Sequence, residues 1–409
     1  MSRREFLKTS LTYASGAAAG LAMSTRSGLL HAASTRANTH RRRLVLIELA
    51  GANDGLNTLV PYTNDHYYAL RPTLAIPAQQ VITLNNHVGI HPELSPLMPL
   101  WDNGDLAWVQ GLGYPKPNRS HFKSIRLWET GSDGHRERVD GWLTHSMEHA
   151  LHRVITDAHG ISLKGSLGLF ASDGGRWLSM DSPGQFEQAL LPDTALPDTA
   201  LPDHALPDQT VQFANPSLAA VARNQQDLNS ALTSIRQRLN QTPSSKPITN
   251  SQLGQQLSHV LRLINAGVDT PVYRVQHTGF DTHENQAGRH ARLLNTLASA
   301  IRAFRTELVT MGEWNNTVIM TYSEFGRRAA ENRSFGTDHG TAAPHLITGG
   351  NVKGGIYGVQ PDLAVLTEGD PVHTLDYRSL YQAVLSQWFL ATDNPFKQHR
   401  DRAVSRLFS

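Results

Sequence analysis

The chain has 409 residues and contains no cysteine. This absence excludes disulfide bonds and thiolate ligands, so any metal site must be built from oxygen and imidazole donors. An excess of charge of one sign is also missing, because 37 Lys and Arg face 35 Asp and Glu, for a net charge of +2. With no basic stripe either, the composition indicates no nucleic-acid partner. Histidine is abundant instead: several of the 20 residues stand beside acids or glycines, which is typical of metal or proton chemistry.

The amino terminus lacks the long apolar run that a membrane span requires. Residues 2–8 (SRREFLK) carry paired arginines, a weakly apolar segment follows from Leu11 to Met23, and small residues surround Ser34. This order is typical of a twin-arginine signal peptide over residues 1–33, and the apolar segment is too short for a stable span. We therefore expect the twin-arginine translocation machinery as a partner and a periplasmic or otherwise exported mature protein.

The order of apolar runs in the mature chain predicts an α/β protein. Arg43–Leu49, Val272–His277 and Val318–Tyr322 are apolar runs of strand length, and Gln286–Leu308 has the apolar spacing of a long helix between the last two. A strand, a long helix and a strand form a βαβ unit, which predicts parallel strands. Two further apolar stripes, Leu218–Leu239 and Leu253–Ile264, predict two more helices.

Two other segments carry less functional weight. Residues 189–210 repeat an Ala-Leu-Pro-Asp unit, and a proline at every fifth position excludes a regular helix or an inner strand, so we predict a surface insert. His145, His149 and His152 are spaced by four and three residues and would share a helix face. No acidic partner accompanies them, which favours a solvated face over a metal site.

Polar residues follow each predicted strand. Since the carboxyl ends of parallel strands share one edge of the sheet, these residues are expected to converge there. Together they supply the carboxylates and imidazoles of a hydrolytic metal site, although residues that merely cap strands and helices remain the alternative. The set consists of Asp54, Asp281, His283, Glu324, Asp338 and His339.

Ser120 precedes a predicted helix that contains Ile125, Leu127 and Trp128. A hydroxyl at this position lies in the positive end of the helix dipole, where an anion is also attracted. Ser120 is therefore either a nucleophile or an N-cap, and on the residues alone the cap is favoured.

Several motifs in order resemble a known family. AGANDGLNTLVPY, HPELSPLMPLWDNGDLAWVQGLGYPKPNRSHFKSIRLWETG, FDTHENQ and TYSEFGRRAAENRSFGTDHGTA, together with the paired arginines, are similar to exported bacterial proteins known as domain of unknown function 1501. That family looks like a divergent branch of the alkaline phosphatase and sulfatase superfamily. The resemblance implies one domain over residues 40–409, a three-layer α/β/α sandwich around a mostly parallel sheet.

The resemblance also implies roles for single residues. Asp54 would be the metal carboxylate after the first strand, Ser120 the counterpart of the hydroxyl nucleophile, and Asp281, His283 and His339 the later metal ligands. The bound ion would be a divalent metal such as Zn, Ca or Mg. Where the superfamily has an Asp-His pair, this chain has Glu324-Phe325, so one imidazole is missing and Glu324 would take the place of the acid.

Two functions follow as hypotheses. The first is an exported metal-dependent hydrolase of small phosphate or sulfate esters, in which Ser120 attacks and Arg119, Arg327 or Arg328 binds the anion's oxygens, Arg327 being preferred. Solvent exposure or salt bridges are the alternative for these arginines. The second hypothesis is a non-catalytic binding or assembly protein that retains a degenerate metal site.

Overall fold

The apolar runs of the sequence form the centre of one large β-sheet. The computed structural model describes residues 42–135, 137–144, 157–164, 168–170, 176–179, 230–243 and 246–409. The nine strands of the sheet are β1 Arg43–Ala50, β2 Leu106–Gly113, β3 Gly160–Ser162, β4 Trp177–Ser179, β5 Val272–Thr278, β6 Thr317–Tyr322, β7 Ala343–Gly349, β8 Gly355–Tyr357 and β9 Leu375–Asp376.

The sheet is mostly parallel. Its order is β8-β2-β7-β6-β1-β5-β3-β4, and β9 also pairs with β2. Only β7 runs antiparallel to its neighbours β2 and β6 among these described strands. The first strand lies between the other two strands predicted from the sequence, with Leu46 opposite Arg274 on one side and Met320 on the other. The predicted parallel arrangement of the three segments is confirmed, and their carboxyl ends lie on one edge.

Within the described residues, six helices have defined bounds: α1 Asp65–Leu70, α2 Met98–Asp102, α3 His121–Thr130, α4 Gln252–Asn265, α5 Gln286–Thr310 and α6 Tyr377–Ala383. Residues 230–240 are helical too. The long α5 connects β5 to β6, so the predicted βαβ unit is confirmed. Shorter helical turns are Pro92–Leu97, Gly168–Phe170, Trp314–Asn316, Val384–Trp388, Lys397–His399 and Arg402–Val404.

Side chains of the central strand alternate between two hydrophobic cores, as the pleat of a strand requires. Val45 and Ile47 pack with residues of α4 and α5 on one face of the sheet. Leu44 and Leu46 pack on the other face with residues of α3 and α6. Because both faces are covered by helices, the first strand is apolar almost throughout. The expected α/β/α sandwich is therefore the fold observed.

Two small sheets complete the fold. Leu59–Val60, Ile82–Thr83 and Gly89–Ile90 form one, and Leu366–Thr367 pairs with Asp370–Pro371 in the other. Residues 43–409 form one compact unit. Across the described ranges no helix combines the length and apolarity needed to cross a membrane.

Some sequence predictions lie outside the described residues. These are the signal peptide at 1–33, the repeat insert at 189–210, the three spaced histidines His145, His149 and His152, and most of the helix predicted from Leu218.

Candidate metal centre

Loops from three neighbouring strands meet at the carboxyl edge of the sheet. After β1, Gly51 donates its backbone N–H to Glu324 Oε1, which follows β6, at 2.8 Å. After β5, Phe280 donates its N–H to the carbonyl of Ala50 at 3.1 Å. Gly51 has a φ of +110°, and a Cβ there would lie 2.4 Å from the backbone nitrogen of Asp281. Glycine is needed because the backbones approach too closely for any side chain.

Three side chains bring metal-ligating atoms together at this edge. His121 Nε2 lies 3.0 Å from His339 Nε2 and 3.7 Å from Asp281 Oδ1. His339 Nε2 lies 3.3 Å from the same carboxylate oxygen. Three atoms at these separations are all about 2 Å from one common point, which matches zinc bond lengths to nitrogen and oxygen of about 2.0–2.2 Å. The triangle of His121, Asp281 and His339 therefore has the dimensions of a metal site.

His283 caps one side of this triangle. Its Nε2 lies 3.0 Å from Asp281 Oδ1 and 2.9 Å from His339 Nε2. The side chains of His283 and Asp281 remain 43% and 48% exposed, so the cluster is open to solvent. Three of the residues predicted from the sequence, Asp281, His283 and His339, are thus brought together by the fold, and an imidazole supplied by His121 joins them.

The other ring nitrogens of these histidines face oxygen atoms. His339 Nδ1 lies 2.9 Å from the carbonyl oxygen of Arg119, and His283 Nδ1 lies 3.3 Å from Asp338 Oδ1. A carbonyl or an ionised carboxylate only accepts hydrogen bonds, so in the neutral rings Nδ1 carries the proton. The Nε2 lone pairs consequently face the cluster.

Burial and hydrogen bonds shift the pKa values in the cluster. Burial raises and the hydrogen bond from Arg327 lowers the pKa of Asp281, with a net downward shift. Burial lowers the pKa of His339, whereas the hydrogen bond to Glu324 raises that of His121. Asp281 is therefore ionised and His339 neutral near neutral pH, the states in which a carboxylate and an imidazole bind metal.

Glu324 and Asp338, both predicted as ligands, contact the cluster from outside. Glu324 Oε1 lies 3.1 Å from His121 Nδ1, and Asp338 Oδ1 accepts from Asn332 Nδ2 at 3.1 Å besides facing His283. Each carboxylate therefore touches the ring nitrogen that points away from the proposed metal position. The ring centroid of Phe325 lies 5.0 Å from that of His121 and 4.8 Å from that of His339.

Asp54 does not face outward as the sequence predicted. It is 1% exposed, and Arg71 Nη1 lies 2.6 Å from its Oδ2, which Gln286 also contacts. Its Oδ1 has no hydrogen-bond partner among the described residues. The prediction that Asp54 is the metal carboxylate after the first strand is therefore corrected. Asp54 forms a buried ion pair with Arg71, which neutralises the charge that a metal would otherwise bind.

Arg327 does not have the geometry of an anion clamp. Its side chain is fully buried, and Nη2 lies 2.7 Å from Asp281 Oδ1. The remaining donors go to backbone carbonyls of the loops around the site, those of Gly51, Ala52, Phe280 and Thr337. The prediction of Arg327 as an anion clamp is therefore corrected: Arg327 joins the loops and holds Asp281 in position, and each of its three guanidinium nitrogens already donates within the protein.

Ser120 occupies the N-cap position of α3 but does not cap it through its side chain. The residue is exposed, and its hydroxyl makes no capping hydrogen bond within the described structure. His121, the first residue of that helix, already belongs to the cluster. The side chain of Ser120 therefore does not have the capping role favoured by the sequence, and Ser120 directly precedes His121 of the candidate metal centre in the chain.

Sequence reasoning missed His121 and Arg71. His121 directly follows Ser120 in the motif NRSH, and a histidine beside a candidate nucleophile is a signal that the sequence does offer. Arg71 stands in an unremarkable segment, LRPTL, and nothing local indicates that it enters the core. Its partner Asp54 is 17 residues away, so only the folded chain reveals the pair.

The fold and this edge define an α/β protein with a histidine and carboxylate centre at the carboxyl ends of parallel strands. The family model described as "Protein of unknown function (DUF1501)" matches residues 41–406, and the chain belongs to this family. The resemblance drawn from the motifs is thereby confirmed. No curated protein matches the chain.

Several solved structures are similar over much of the chain. Ps i-CgsB has 8% identity and a TM-score of 0.39, covering 89% of this chain and 75% of its own. The lipoteichoic acid synthase LtaP from Listeria monocytogenes has 9% identity and a TM-score of 0.36, covering 82% and 74%. The PsFucS1 sulfatase from Pseudoalteromonas sp. has 11% identity and a TM-score of 0.36, covering 81% and 67%.

Proposed function

We propose that this protein is a metal-dependent hydrolase of phosphate or sulfate esters. The observation that carries the proposal is the meeting of imidazole Nε2 atoms with Asp281. His339 Nε2 lies 3.0 Å from that of His121 and 2.9 Å from that of His283. Lone pairs at such distances repel each other, and a cation among them converts the repulsion into coordination.

The donor set favours zinc. Ca²⁺ and Mg²⁺ take oxygen ligands, whereas imidazole suits Zn²⁺ and other first-row transition metals. His121, Asp281 and His339 would hold the ion, and His283 Nε2 is close enough to serve as a fourth ligand. Three neutral imidazoles and one carboxylate leave a divalent ion with a net positive charge, which attracts an anionic ester.

Ser120 is the proposed nucleophile. A bound divalent ion supplies Lewis acidity and lowers the pKa of a nearby hydroxyl. The Ser120 hydroxyl is exposed, is free of the capping role and directly precedes His121. Arg328 replaces Arg327 as the proposed anion-binding residue, because its side chain is 39% exposed and its backbone N–H donates to the carbonyl of Asp338 at 3.0 Å. The ion pair of its Nε with Asp370 Oδ1 is long, at 3.8 Å.

We also propose export by the twin-arginine route, with the translocation machinery as partner and the periplasm as destination. The paired Arg3 and Arg4 support this route. That machinery moves folded proteins, so a metal centre could be assembled before export.

The test uses the mature chain, purified and freed of metal by chelation. Isothermal titration with Zn²⁺, Mg²⁺ and Ca²⁺ measures binding, and hydrolysis of an aryl phosphate and an aryl sulfate measures turnover. We expect tight binding of one Zn²⁺ and turnover only in its presence. No binding of any of the three ions would refute the proposal.

A second function remains as the alternative. Phe325 occupies a position where the resemblance implies an imidazole, and this favours a binding or assembly protein that has lost turnover. The same experiment separates the two functions. Tight Zn²⁺ binding without turnover of either ester, together with an intact biological role for Ser120→Ala, would support the alternative.

A further inference from the structure

Glu324 has its carboxylate oxygens occupied by donors of the protein. Oε1 accepts the N–H of Gly51 at 2.8 Å and lies 3.1 Å from His121 Nδ1. Oε2 accepts the N–H of Ala52 at 3.0 Å and lies 2.9 Å from Ser323 Oγ. Two backbone N–H donors, the His121 ring and the Ser323 hydroxyl surround the carboxylate, so it has no exposed edge left for a metal. The side chain is also only 6% exposed.

The loop after β1 is shaped to receive this carboxylate. Gly51 and Ala52 both have positive φ values, +110° and +68°, and Ala52 is completely buried. Positive φ is costly for alanine, and such strain persists where the surrounding structure imposes it. Here it aims two successive backbone N–H groups at Glu324, the arrangement of an anion-binding nest. The Ala-Gly-Ala-Asn segment thus fixes the position of an acid 272 residues further along.

Glu324 in turn determines which nitrogen of His121 carries the proton. Because the ionised carboxylate accepts from Nδ1, the proton of the neutral ring resides there and Nε2 presents its lone pair. That Nε2 is one corner of the triangle with His339 and Asp281. Phe325, which is 2% exposed, packs against the rings of His121 and His339.

We propose that Glu324 is a positioning residue that orients His121, and that His121 supplies the imidazole absent at Phe325. His121 is then an imidazole ligand supplied from a different position in the chain, and Glu324 orients it. The Glu324-Phe325 pair therefore does not mark a damaged centre. This inference rests on the proposed metal-dependent function, which it deepens by assigning the third imidazole to the first residue of α3.

The first test is a double-mutant cycle on Zn²⁺ affinity. Glu324→Gln in the otherwise wild-type chain should weaken Zn²⁺ binding by about 10–100-fold, as loss of an outer partner does. In the His121→Ala background the same change should alter affinity by less than about threefold, because the residue that it orients is gone. An undiminished effect in that background, or no effect in the wild type, would overturn the proposal.

A matched control is Glu48→Gln. Glu48 is also buried in the sheet, but it pairs with Arg274 and, within the part of the chain that the structure describes, makes no hydrogen bond to the cluster's ligands. The Glu48→Gln substitution should lower stability against denaturant while leaving Zn²⁺ affinity within about threefold of the wild type. The reason is that Glu48 and Glu324 do not act on a common metal ligand. If Glu48→Gln weakens binding as much as Glu324→Gln, the effect is general destabilisation and the positioning role fails.

The second test needs no metal. Nitrogen-15 spectra of metal-free, histidine-labelled protein at alkaline pH report the tautomer of each ring, and the His121→Ala variant identifies the His121 signals. We expect the proton on Nδ1. A proton on Nε2 would overturn the positioning role even if Glu324→Gln fails to fold. If the wild type binds no Zn²⁺ but His121 has its proton on Nδ1, the proposed function fails while the orienting contact stands.

Discussion

His283 and His339 point their Nε2 atoms at each other across 2.9 Å, although 56 residues separate them in the chain. Nitrogens this close need a proton or a cation between them. Their Nδ1 atoms already face Asp338 and the carbonyl of Arg119, so in the neutral rings no proton remains for Nε2. The pair is therefore prepared for a cation.

Asp281 should be essential for metal binding. Asp281→Asn keeps the size of the side chain but removes the negative charge, so Zn²⁺ affinity should fall by more than the roughly 100-fold upper limit typical of outer partners. Asp338→Asn is the matched control, because that carboxylate faces His283 from outside, and its loss should cost about tenfold. Titration calorimetry measures both. Equal losses of Zn²⁺ affinity in the two variants would contradict the assignment of Asp281 as a ligand and Asp338 as an outer partner.

Ser120→Ala should abolish turnover and leave the fold intact. Turnover should be lost because the variant has no hydroxyl to form the covalent intermediate, whereas the melting temperature should not change because the side chain makes no capping bond. Ser251 is the contrasting control, since its hydroxyl does cap α4 by accepting the N–H of Gly254 at 3.0 Å. Ser251→Ala should cost about 1 kcal/mol of stability and no activity. Full turnover by Ser120→Ala would exclude it as nucleophile.

Asp54→Asn should destabilise the protein without releasing metal. The change leaves Arg71 buried without its counter-charge, which costs about 3–5 kcal/mol in the free energy of unfolding. Zn²⁺ affinity should stay within about threefold of the wild type, because additive effects are expected for residues without shared contacts. Denaturant unfolding and calorimetry test the two parts. Loss of metal with unchanged stability would instead restore the role that the family resemblance implied.

Acid should destabilise the native state partly through His345. Burial lowers the pKa of this histidine to about 3, below the ordinary 6.5 of the unfolded chain. Between these values the unfolded state binds more protons, so the stability is fully present above about pH 6.5 and is lost as the pH falls toward 3. At about pH 4 the loss is about 3 kcal/mol.

His345→Leu should therefore flatten the pH dependence of unfolding measured by denaturant. Parallel stability curves for the wild type and His345→Leu would contradict the assignment.

Replacing both arginines of the amino-terminal pair should block export. Arg3→Lys with Arg4→Lys preserves charge, so failure would reflect recognition of the guanidinium pair and not a general loss of basicity. We expect the unprocessed chain to accumulate in the cytoplasm, as fractionation and immunoblotting would show. Lys8→Arg is a conservative control. Normal export of the double variant would refute the twin-arginine route.

Much of the fold could be predicted from the sequence, because an apolar run of strand length has few alternatives once it must be buried on both faces. The runs beginning at Arg43, Val272 and Val318 became adjacent parallel strands for this reason. The position of Asp281, His283 and His339 at one edge followed from the same logic. What failed was the inference from residue type to role at Asp54 and Arg327, since burial and pairing decide what a charged side chain does.

The pattern of apolar and polar residues along the chain was enough to predict the layered α/β fold and the edge at which polar residues gather, and the lack of cysteine excluded thiolate ligands. Which of the polar residues form the centre depends on the folded chain. His121 and Glu324 are 203 residues apart, yet their contact orients a ring toward Asp281. Asp54 is withdrawn from the site by Arg71. Local sequence cannot contain such pairs, because they exist only after distant loops close on one another.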